Sequence, residues 1–214
     1  MDQEIDIINT NTRIEKIKNF LINYKKHLIS ILVVIILCAF GFFFYQDYKS
    51  GKKEDLGDAY NLSIIEYNSG KKENIKKNMI EIINAKDKTY SPLAFYFLFD
   101  NEIITSKDDI NRYFDILIND IGLDSESKNL IIFKKGLFNS EFLEENQLLE
   151  ILNPLIKSQS IWKPHALYLM AEYYFEKKQK QKSKEFFDQI INLENISSNI
   201  KLEVEKRLRT DFSE

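Results

Sequence analysis

The chain has 214 residues, with 30 Lys and Arg against 33 Asp and Glu and a formal net charge of −3, so it lacks the basic footprint that nucleic-acid binding requires. Its 44% hydrophobic and 29% charged residues describe an ordinary folded chain. The lone Cys38 and two separated histidines, His27 and His165, supply no disulfide, zinc site or Cys-His nucleophile, and no GxxxxGK[ST] or GxGxxG loop is present; no enzyme, cofactor or metal is expected.

Residues 1–27 are read as a cytoplasmic N-terminal segment, in which Met1 to Thr12 are polar and either disordered or a helical extension leading into Arg13. Residues 28–45, LISILVVIILCAFGFFFY, are uncharged and interrupted only by Ser30, Cys38, Ala39 and Gly41. At 1.5 Å rise per residue, roughly 18 to 20 apolar residues cross the hydrocarbon core of a bilayer. A spanning helix is therefore expected. A cleaved signal peptide fits poorly, because bulky Phe42, Phe43 and Phe44 follow Gly41 where a small-residue cleavage site belongs. Bulky Leu37 before Cys38 disfavours a lipid-anchored cysteine.

Arg13, Lys16, Lys18, Lys25 and Lys26 precede the run; Lys49, Lys52 and Lys53 follow it, mixed with Asp47, Glu54, Asp55 and Asp58. The excess of basic residues before the run favours a cytoplasmic N-terminus and an exported C-terminal region. Residues 46–55 are taken as a juxtamembrane linker, 56–209 as one helical domain and 210–214 as a tail.

The fold class expected is all-α: one transmembrane helix followed by a solenoid of helical hairpins. Apolar residues after residue 56 recur at three and four spacings, and strand-like alternation is scarce. Helix starts are marked by Ser91-Pro92, Lys107-Asp108-Asp109, Lys163-Pro164 and Ser197-Ser198, and helix ends by Gly70 and Gly122. A shared set of offsets runs through the domain. From Ala59 it passes Leu62, Ser63, Gly70, Ile75, Met79, Ile82 and Ile83; from Ala94 it passes Phe97, Leu98, Asn101, Ile110, Phe114, Leu117 and Ile118. From Leu130 it gives Phe133, Lys134 and Leu137 but slips on the second helix, where Leu148, Ile151, Leu152 and Leu155 carry the apolar face. From Leu167 it gives Met170, Ala171, Tyr174, Ser183, Phe187, Ile190 and Ile191; the steps between starts are 35, 36 and 37. Residues 197–209, with Ile200, Val204 and Leu208 on one stripe, suit a terminal capping helix.

These offsets resemble the tetratricopeptide (TPR) repeat, most closely between Leu167 and Ile191, although Lys178 stands where the turn glycine belongs and Lys134 where a small residue belongs. The whole arrangement, from Arg13–Lys26 through Leu28–Tyr45 to the stretch YQDYKSGKKEDLGDAYNLSIIEYNSGKKE, resembles the YfgM-like family of ancillary subunits of the bacterial Sec translocon. The resemblance implies an inner-membrane anchor and a periplasmic TPR-like domain. It also implies association with the SecYEG channel and with a membrane-anchored periplasmic peptidyl-prolyl isomerase chaperone, assisting exported proteins. The alternative is a TPR adaptor of another envelope complex, for cell division or outer-membrane assembly.

A solenoid presents the faces of its first helices as a protein-binding surface. On the shared offsets that face carries Tyr60, Tyr67, Phe95, Phe99, Phe138, Tyr168 and Phe175. For the four phenylalanines the core between hairpins is the favoured place; the three tyrosines are the better groove residues, because a phenol tolerates water. His165 is read as a helix-start residue, and adjacent Glu144 and Glu145 as a solvated face.

Overall fold

The computed structural model describes residues 15–194 and 196–212. Met1 to Thr12, and Arg13 with them, lie outside the described residues. Among the described residues are ten helices and no strand: α1 (15–23), α2 (Lys25–Asn68), α3 (Ile75–Asn84), α4 (Tyr90–Asp100), α5 (Lys107–Asn119), α6 (Ser125–Asn139), α7 (Glu145–Ile156), α8 (Lys163–Glu176), α9 (Lys180–Ile191) and α10 (Ser198–Asp211). The chain divides into two compact units, Met1–Asp55 and Leu56–Glu214.

In the first unit, the apolar run is helical throughout, and none of its most apolar 18-residue window is buried in protein. Its large side chains from Ile29 onward stand open, from Ile36 at 45% to Phe44 at 76% exposure. The helix is long and apolar enough to cross a membrane. Residues 46–55, expected as a linker, continue α2 as helix without a break.

In the second unit, helices adjacent in sequence pack on one another from α3 to α10, and α6 also packs on α8. The C-terminal part of α2 joins through side chains: Tyr60 lies 6.1 Å from Tyr90, and the Tyr67 ring meets Phe97 edge-on at 5.1 Å. Short polar residues start several helices by accepting the free amides of the first turn. Ser106 Oγ accepts from Asp109 N at 3.3 Å, Asp124 Oδ1 from Ser127 N at 3.0 Å and Ser197 Oγ from Ile200 N at 3.4 Å. The α4 start differs from the sequence reading. Asp87 Oδ1 accepts the Tyr90 amide, while Ser91 is buried inside the first turn and donates its hydroxyl to the Ile82 carbonyl at 2.8 Å.

Three first helices end in one hydrogen-bonded form, the Schellman motif. At the end of α2, Gly70 N donates to Tyr67 O and Lys71 N to Glu66 O; after α4, Glu102 N donates to Phe99 O and Ile103 N to Leu98 O; after α8, Lys178 N donates to Phe175 O and Gln179 N to Tyr174 O. The left-handed residue is Gly70 at φ 84°, Glu102 at 53° and Lys178 at 60°. The backbone form is thus kept where the glycine is not.

The third register is corrected by burial. From Leu130 the offsets fall on exposed Leu137 and half-buried Lys134. The buried residues instead follow Ile132, with Gly136 and Asn139 on α6 and Leu148, Leu152 and Leu155 on α7. Each lies 35 positions before a buried residue of the last pair: Leu167, Ala171, Tyr174, Ser183, Phe187 and Ile190. Gly136 is the small residue that Lys134 is not: a Cβ there would fall 2.4 Å from Leu152 Cδ2. Its absence lets α6 lie close on α7.

The core advances along the chain in three clusters. The first joins α3, α4 and α5 with Ile131; the second joins Ile132, α7 and Met170, Tyr173 and Tyr174 of α8; the third joins Leu167 and Ala171 of α8 to Phe187, Ile190 and Val204. Neighbouring residues on α6, and interleaved ones on α8, thereby serve successive clusters.

Candidate functional site

The buried stripe of α8 runs through Leu167, Met170, Ala171 and Tyr174. At helical spacing this leaves a second face, His165, Tyr168, Leu169, Glu172 and Glu176, of which Tyr168 also meets Phe187 of α9 edge-on at 5.5 Å. That face, Phe133, Leu137, Ser140 and Glu141 at α6, and Asn199, Ile200 and Glu203 of α10 enclose an open cleft of about 680 Å³.

The cleft is apolar inside and acidic at its edge. Phe133, Leu137, Tyr168, Leu169 and Ile200 give it apolar surface, and Leu137 remains 52% exposed. At one end Phe133 stacks on Trp162 with ring centres 5.9 Å apart, and His165 packs against both rings, 5.7 Å from Phe133 and 5.2 Å from Trp162. His165 Nδ1 is buried and has no hydrogen-bond partner among the described residues. Glu141, Glu176 and Glu203 are exposed and form no ion pair among the described residues. Glu172 is held from outside the cleft: Arg207 donates from Nε to Oε1 at 3.0 Å and from Nη2 to Oε2 at 2.8 Å, and also pairs with Asp211. Burial, and then the nearby Glu172 and Glu203 carboxylates, push the Tyr168 phenol above its ordinary pKa, so it stays a neutral donor. Among the described residues, no Lys or Arg lines the cleft.

No family model, curated protein or solved structure matches this chain.

Of the seven residues proposed from sequence, the cleft takes Tyr168 alone. Phe95 is fully buried in the first cluster, its ring centre 4.8 Å from Phe114. Phe99 and Phe138 pack on that cluster and meet each other at 5.6 Å. These three are core or core-edge residues and do not form an open face. Tyr60 and Tyr67 are half-buried against α4. Phe175 is half-buried between Phe212, at 5.8 Å, and the Arg207 guanidinium, at 4.7 Å.

The sequence reading missed Phe133, Leu137, His165, Leu169, Glu172, Glu176, Ile200 and Glu203. The signal was present on α8, where His165, Tyr168, Leu169, Glu172 and Glu176 recur at three and four spacings beside the core stripe. On α6 the two-residue register error hid it. Among the described residues, no group of three or more His, Cys, Asp and Glu is placed to hold a metal ion. The arrangement suits contact with a chain segment: apolar surface for area, and polar groups at the rim for orientation.

Proposed function

We propose that this chain is a single-pass membrane protein whose TPR-like domain binds proteins on the exported side, working beside the SecYEG translocon and a membrane-anchored periplasmic peptidyl-prolyl isomerase chaperone to assist newly exported proteins. The observation that carries the reading is one chain holding both an uncovered apolar helix and a series of packed helical pairs, with an open cleft among α6, α8 and α10. The TPR-like assignment draws support from the shared end of α2, α4 and α8 and from the buried small residues Gly136, Ala171 and Ser183. The Lys and Arg excess before the apolar run supports a cytoplasmic N-terminus. The link to the translocon rests on the YfgM-like resemblance.

Affinity purification of the tagged full-length protein in mild detergent, with mass spectrometry of its companions, tests the reading. Recovery of SecY, SecE or SecG with an exported-protein chaperone is the expected result. Recovery of a cell-division or outer-membrane-assembly complex without translocon subunits would replace it with the scaffold alternative.

A further inference from the structure

We infer that the α6–α8–α10 cleft receives a cationic, apolar protein segment, with Lys or Arg side chains set among bulky aliphatic or aromatic residues. The inference rests on the reading of this domain as a protein-binding module and adds the chemistry of its partner. Phe133, Leu137 and Leu169 offer apolar surface that water covers poorly. Among the described residues, Glu141, Glu176 and Glu203 ring that surface without ion pairs and no Lys or Arg lines it to neutralise them. Of the cleft's carboxylates Arg207 pairs with Glu172, and it also pairs with Asp211. The rim therefore keeps a negative field over an apolar floor. An acidic segment, a nucleic acid or an anionic headgroup would meet like charge there. Three helix faces at the usual 8–10 Å spacing span roughly 20 Å, which about six extended residues would cross.

The test uses the full-length protein in nanodiscs of zwitterionic lipid, so that the bilayer does not itself attract the probe. Three labelled synthetic peptides share their Leu and Phe positions and carry Lys, Gln or Glu between them; binding is read by fluorescence anisotropy at low and high salt. The Lys peptide is expected to bind about tenfold more tightly than the Glu peptide, the sum of three exposed charge pairs, with the preference shrinking as salt screens them. A triple variant, Glu141→Lys with Glu176→Lys and Glu203→Lys, should reverse the ranking, and Leu137→Asp should weaken the Lys and Gln peptides. If the triple variant loses its helical circular dichroism, the wild-type ranking and its salt dependence decide alone. Equal binding of the three peptides, preference for the Glu peptide, or a Lys preference that survives in the folded triple variant overturns the inference. Co-purification from the same tagged protein keeps the outcomes apart. Translocon recovery without peptide preference removes the partner chemistry and leaves the translocon role. Peptide preference without translocon recovery does the reverse.

Discussion

Lys178 shows how a residue can be out of keeping with its place while the place itself is kept. Its amide and that of Gln179 close α8 onto Phe175 O and Tyr174 O, which requires the left-handed backbone at φ 60°. In that conformation a Cβ crowds the neighbouring carbonyl, a cost that glycine avoids. Lys178→Gly should stabilise the protein by about 1 kcal/mol after allowing for the freer unfolded chain. Gly70→Ala, at φ 84° in the matching turn, should lose a similar amount, about 1 kcal/mol. Chemical denaturation followed by far-UV circular dichroism reads both, and a destabilised Lys178→Gly would show that the lysine side chain contributes more than its backbone costs.

At the scale of elements, a missing side chain lets α6 pack tightly on α7. A Cβ on Gly136 would sit 2.4 Å from Leu152 Cδ2 and 3.0 Å from its Cγ, inside a fully buried contact. Gly136→Ala should therefore cost about 1–3 kcal/mol by overpacking, despite alanine's better helix propensity. Combining it with Leu152→Ala should cost less than the two single changes added, because each makes room for the other; strict additivity in denaturant midpoints would place the strain elsewhere. One turn on, Asn139 and Asn111 exchange amide hydrogen bonds of 3.1 and 2.8 Å, tying α6 to α5 where Tyr174 fills the corresponding place on α8. An amide pair and an aromatic ring thus serve the same position in two pairs, one by satisfying polar groups, the other by filling volume.

For the whole molecule, the uncovered helix is long and apolar enough to cross a membrane, as proposed above. About 18 residues at 1.5 Å rise give roughly 27 Å of apolar rod, which matches a hydrocarbon core and cannot be left in water without association. Leu37, at 65% exposure, lies near its middle. Leu37→Arg should cost about 2.5–3.5 kcal/mol of membrane insertion. Its expected consequence is release of a large fraction of the protein from membranes on alkaline extraction, while wild type stays in the pellet. The helical domain, by contrast, hands its core from one cluster to the next through α6 and α8, so each pair depends mainly on its neighbours.

Local chemistry determined much of this protein from sequence alone. The uncharged apolar run, the helical period after residue 56, and the Ser197 and Lys163-Pro164 starts are properties of a few adjacent residues, and each is legible where it stands. The tertiary structure decided which side of each helix faces what. Leu130 and Ile132 both begin a plausible apolar stripe, because positions three and four apart cover a broad face; only α7, pressed against Gly136, selects the second. Likewise Phe99, Phe138 and Tyr168 look interchangeable as aromatic surface, yet Phe99 and Phe138 close on each other while α10 leaves Tyr168 at an open cleft. Periodicity is set within a helix, but the choice of face belongs to the neighbour that packs on it, and that neighbour is distant in sequence.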